Sequence, residues 1–120
     1  NYNSNDGTVI RGDYRCSSYE ASRVDALEPA ESEATLTSAQ NTLDQRSNYL
    51  ENLKSEIDNN YVNEYSAQWE IDDYNQKVDE YNGLLPAFKR DATNLSSRID
   101  QYNAQVEARN NYLARNCTPR

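Results

Sequence analysis

Histidine and methionine are absent from this 120-residue chain, which carries only two cysteines, three glycines, three prolines, one tryptophan and one phenylalanine. Each shortage excludes something. Without histidine, the commonest general-base and nucleophile arrangements cannot be assembled. Two cysteines are too few for structural zinc, and Cys16 and Cys117 lack the Cys-x-x-Cys redox spacing. A disulfide between them is the expected reading, within one molecule or between two; the alternative is a pair of thiols in a reducing compartment. Lacking methionine, the chain does not begin at its own initiator, which fits a secreted or periplasmic protein after processing, or a cut piece of a longer one. No apolar run approaches bilayer-crossing length, so no membrane span is expected, and no signal-peptide-like segment opens the chain. With hydrophobic residues at only 36% and few turn formers, a compact globule is not expected either.

Charge narrows the partners. Twelve basic against twenty acidic residues give a net charge of −8. Such a chain repels a polyanion, and Lys54, Lys77, Lys89 and Arg90 are scattered among acids, so no nucleic-acid partner is expected. The carboxylates Glu70, Asp72, Asp73, Asp79 and Glu80 read as a solvated helix face. No EF-hand loop, phosphate-binding glycine loop or His-Glu-x-x-His motif is present. No catalytic residue, metal site or cofactor is therefore expected.

What the chain does have is a long seven-residue repeat of apolar positions. Leu36, Leu43, Leu50, Ile57, Ile71 and Val78, interleaved with Ala39, Leu53, Ala67, Tyr74 and Tyr81, lie upstream of Asn82-Gly83-Leu84-Leu85-Pro86. Phe88, Ala92, Leu95, Ile99, Tyr102, Val106 and Leu113 lie downstream. The pattern is helical and of coiled-coil type. It predicts an all-α fold: an elongated antiparallel coiled-coil hairpin with arms over about 30–81 and 87–116 and the turn at 82–86. Folding there pairs Tyr81 with Phe88, Val78 with Ala92, Tyr74 with Leu95, Ile71 with Ile99, Ala67 with Tyr102 and Ile57 with Leu113, and sets Glu64 between Val106 and Arg109. Two features resist this choice. The heptad phase runs unbroken from Val78 through Leu85 to Ala92, as in one continuous helix, although Pro86 and Gly83 would cost such a helix about 3 and about 1 kcal/mol. Asp58-Asn59-Asn60 is the weakest point of the first arm, and a break there would give a three-helix bundle. The unequal arms also leave Leu36, Ala39, Leu43 and Leu50 without a partner unless the N-terminal segment or a second copy covers them.

Residues 1–29 form a separate N-terminal segment, extended or with a short helix. Its first fifteen residues read as loosely ordered, with turn signals at Asp6-Gly7 and Gly12-Asp13. Ser17 and Glu20 form a capping box for a helix ending at Pro29. With Cys117 carried far along by the 82–86 turn, that helix and an intramolecular bridge compete for the same thirteen residues. Arg11-Gly12-Asp13 matches the integrin-recognition tripeptide but reads as a chance turn.

The candidate binding surface is Tyr61, Tyr65 and Trp69. Their four-residue spacing makes one ridge, pointing away from the seam, for a protein partner or for self-association, with a homodimer as one form. Leu36-Thr37-Ser38-Ala39-Gln40 is similar to the Leu-Thr-x-x-Gln motif of small periplasmic helical chaperones. That resemblance implies an envelope compartment, although those cradle-shaped dimers differ from a two-arm hairpin. The expected function is a non-enzymatic extracytoplasmic structural or protein-binding module; the alternative is a periplasmic holding chaperone or stress adaptor.

Overall fold

A computed structural model describes residues 7–120. In chain order the elements are β1 (Val9–Arg11), β2 (Tyr14–Cys16), α1 (Ser18–Ala26), α2 (Glu33–Asn59), α3 (Gln68–Asn116) and β3 (Thr118–Pro119). Among the described residues the protein is mostly helical, with three helices and a small three-stranded sheet that the all-α expectation lacked. The chain divides into two compact units, one made of residues up to Ser32 together with Arg98–Arg120, the other of Glu33–Ser97. α3 contributes to both.

In the Glu33–Ser97 unit, the expected turn at 82–86 is helix: α3 runs through Gly83 and Pro86, and the chain reverses instead over residues 60–67. Cross-helix contacts fix the direction. Arg46 pairs with Asp91 at 2.8 Å and Glu56 with Lys77 at 3.4 Å, so the partner number falls as the α2 number rises, as antiparallel helices require. Of the layers expected across 82–86, those from Tyr81 with Phe88 to Ile71 with Ile99 are therefore positions along one helix and do not pair, while Leu113, expected against Ile57, packs in the core with Cys16, Ala21, Val24 and Cys117.

The physical reason lies in local chemistry at both places. Asp58, Asn59 and Asn60 are poor helix formers, and the segment after them carries its own stop and start signals. Asn60 donates backbone and side-chain N–H groups to the Glu56 carbonyl at 3.0 and 2.6 Å. Glu70 reaches back to accept the Ala67 N–H at 2.8 Å, opening α3. Pro86 forfeits one helical hydrogen bond, but continuing straight keeps the apolar phase intact and faces the leucines of α2 with α3. Leu36, Leu43, Leu50 and Leu53 are buried within the chain, so the arm expected to be bare is covered.

In the other unit, β1 and β2 form a hairpin in the register Val9↔Cys16 and Arg11↔Tyr14, with β3 added antiparallel along β2. Gly12 adopts φ +59° in the two-residue turn, a conformation that β-carbon sterics make costly for other residues. Residues 7–15 are thus structured where loose order was expected; residues 1–6 of that stretch lie outside the described residues. The strands are too short to announce themselves locally. Their support is long-range: β3 comes from the far end of the chain, and Arg120 N–H donates to the Asp13 carbonyl at 2.8 Å.

The Ser17 capping box forms as read, with Glu20 N–H donating to Ser17 Oγ at 3.1 Å and Ser17 N–H to Glu20 Oε1 at 2.8 Å. Cys16 and Cys117 are bridged within the chain, S–S 2.13 Å and Cα–Cα 4.7 Å. Helix and bridge coexist because the chain does not turn at 82–86: α3 ends at Asn116, and Cys117 meets Cys16 within the same compact unit. Around the bridge, Ala21, Val24 and Leu113 form the core, with Val9, Tyr14 and Tyr112 packed against it.

Candidate functional site

Of the three aromatics singled out by spacing, Tyr61 and Trp69 line one hollow, and Tyr65 lies on the connection between them; they do not form a helical ridge. Tyr61 and Tyr65 lie in the 60–67 connection and Trp69 in the first turn of α3. They are 79%, 88% and 71% exposed. No four-residue helical periodicity exists here; the reversal brings Tyr61 and Trp69 to the same hollow.

The loop that carries them is held by its own bonds. Asn63 N–H donates to Ser66 Oγ at 3.0 Å, Tyr65 N–H to Asn63 Oδ1 at 2.8 Å, and Ser66 N–H to the Asn63 carbonyl at 3.1 Å. Short polar side chains that satisfy backbone groups locally are what make such a turn reproducible. Tyr61 and Tyr65 are thus presented on a defined loop, with Trp69 on the helical turn that follows.

A hollow of about 210 Å³ opens there, lined by Asn59 at the end of α2, Asn60, Tyr61 and Val62 in the connection, and Trp69, Glu70 and Asp73 at the start of α3. Lys77 Nζ lies 2.9 Å from Asp73 and 3.4 Å from Glu56, and its pKa is raised mainly by the Asp73 hydrogen bond. Farther back, Lys54 bonds Asp58 at 3.0 Å, which raises its pKa. Sequence reasoning missed the hollow because it held residues 59–73 in a single helix. The Asn-Asn pair ahead of an apolar position was the signal available.

Glu64 was expected between Val106 and Arg109. It sits instead exposed in the loop, and Arg109 Nε approaches Glu28 Oε2 at 3.3 Å, close enough for an ion pair but outside hydrogen-bond geometry. Arg11-Gly12-Asp13 occupies the β1–β2 turn. The Arg11 guanidinium is held by Asp25 through two contacts of 2.8 Å, so it ties the hairpin to α1 instead of projecting outward.

A second hollow, of about 300 Å³, lies between α2 and α3 and is lined by Gln45, Arg46, Tyr49, Leu50, Leu84 and Phe88. Arg46 stacks over the Phe88 ring at 5.7 Å, and the Tyr49 hydroxyl donates to Glu80. Assigning Leu84 to a turn hid this seam from the sequence. Among the described residues, no group of three or more His, Cys, Asp or Glu side chains is arranged to hold a metal ion, and no helix is long and apolar enough to cross a membrane. Compared with family models, curated proteins and solved structures, the chain has no match in any of the three.

Proposed function

We propose that this chain is a non-enzymatic, extracytoplasmic protein-binding module: an antiparallel coiled-coil hairpin that docks a partner through the tip formed by Tyr61, Tyr65 and Trp69. One observation carries the reading. Three large aromatics stand more than two-thirds exposed, Tyr61 and Tyr65 on a loop that its own hydrogen bonds hold in place and Trp69 in the helical turn that follows it. Exposing that much apolar surface forgoes stabilisation, and aromatic side chains of this kind are the commonest contact anchors at interfaces. The Cys16–Cys117 bridge supports a secreted or periplasmic location, since such bridges persist in oxidising compartments. The partner is a folded protein or a second copy of the chain. A holding chaperone would use the same aromatics together with the α2 leucines, and of that wider client surface Leu36, Leu43 and Leu50 are buried.

The test is the double replacement Tyr65→Ser with Trp69→Ser. Helix content should be unchanged, while self-association by sedimentation, or binding to a partner cross-linked from position 65, should weaken by at least about 2 kcal/mol. Unfolding of the monomer with association unaffected would make the tip internal packing and end the proposal.

A further inference from the structure

The hollow at the tip has a chemistry of its own, and we infer that it receives a cationic side chain, arginine or lysine, from a basic segment of the docked protein. This rests on the docking reading above. Three observations converge. Two aromatic residues, Tyr61 and Trp69, line the hollow together with the carboxylates of Glu70 and Asp73. Aromatic faces attract cations through their quadrupole, and carboxylates add charge-assisted hydrogen bonds.

The local charge is also only partly compensated. Glu56, Glu70 and Asp73 have one ammonium nearby, that of Lys77, and it is shared between Glu56 and Asp73. Glu70 uses Oε1 to cap α3, and a carboxylate has further lone pairs to offer.

The third observation is the helix end. α1 and α3 carry Arg23 and Arg115 in their last turns, but the last turn of α2 has no basic residue. Its negative carbonyl end therefore lies at Asn59 and Asn60, at the wall of the hollow, with no basic residue in its own last turn and only the shared Lys77 ammonium, on Glu56, close by. A partner's guanidinium or ammonium would supply what α1 and α3 supply for themselves. The positive end of α3 lies at the same site and opposes this, but Glu70 stands in its first turn and offsets it.

Trp69 is the only tryptophan, so its emission reports on this hollow directly. The experiment titrates the full chain with tetra-arginine amide at physiological salt, using tetraglycine amide as the neutral control. Trp69 emission should change saturably with the arginine peptide and not with the glycine peptide. Tyr61→Leu, which keeps every charge, should raise the midpoint roughly fivefold, the scale of one partly exposed cation–π contact. Glu70→Gln should also raise it, while glutamine preserves the capping bond. Glu51→Gln, which removes the same charge from an exposed position of α2, should change it less than about twofold. Equal effects of Tyr61→Leu and Glu51→Gln, or no response of Trp69, would overturn the inference. The docking reading is judged separately: loss of association in the Tyr65/Trp69 double replacement without an arginine response means a tip that docks an uncharged segment, and neither effect means that both readings fall.

Discussion

Asp25, Glu31 and Asp91 each sit against an arginine, and that placement predicts an acid-dependent stability. The hydrogen bond from Arg11 lowers the pKa of Asp25, that from Arg98 lowers Glu31, and that from Arg46 lowers Asp91, each against a smaller opposing effect of burial. A carboxylate whose folded pKa lies below its unfolded value stabilises the fold above the ordinary carboxylate range. That contribution disappears as pH falls through the folded pKa. Thermal unfolding should therefore shift downward between about pH 5 and pH 2, and Asp91→Asn should flatten part of that slope. A slope unchanged by Asp91→Asn would show that the Arg46 contact contributes nothing. At the same scale, Leu53→Ala should cost about 2–5 kcal/mol because Leu53 is buried, while Leu84→Ala, at a 41% exposed position, should cost well under half as much. Urea unfolding of the two variants measures both.

At the scale of elements, what decides the fold is where the helical run breaks. Two breakpoints competed: one with a proline and a glycine, the other with Asp58-Asn59-Asn60. Pro86 looked the stronger because its cost inside a helix is the largest single propensity term. The asparagines prevail because Glu70, Asn63 and Ser66 supply a start signal and a closed turn, and because the phase through Leu85 matches both sides of Pro86. That unbroken phase was legible in the sequence and favoured the continuous helix; the layer matching across 82–86 was a coincidence of seven-residue repeats. The capping box at Ser17 and Glu20 could be read because its bonds span three residues. The sheet could not, because Arg15 pairs with Thr118 from the opposite end of the chain. Of the candidate site, the three aromatics were found by a spacing that no helix carries, and the hollow was not found at all. The prediction at this scale is one of sign: Pro86→Ala should stabilise the protein by up to about 3 kcal/mol and Gly83→Ala by about 1, since a β-carbon at Gly83 meets nothing within 4 Å. Were residues 82–86 a turn, both replacements would destabilise.

For the whole molecule, the bridge and the reversal are the two constraints that matter most. Cys16 and Cys117 are 101 residues apart, so the bridge closes nearly the entire chain and, in the chain-entropy model, contributes about 4–5 kcal/mol. Reduction should lower the melting temperature markedly. Recovery of two freely alkylated thiols from the native protein would remove both the bridge and the main support for an oxidising compartment. The tip exists as a docking surface only if the chain turns back at 60–67, which makes that reversal the premise of everything proposed about function. Spin labels carried by non-natural residues at Thr42 and Thr93, leaving the bridge intact, test it in one distance. An antiparallel α2–α3 pair with Arg46 on Asp91 puts the labels within about 2 nm of each other. A turn at 82–86 would bring Thr93 back only to the level of about residue 76, and the separation would be about 5 nm.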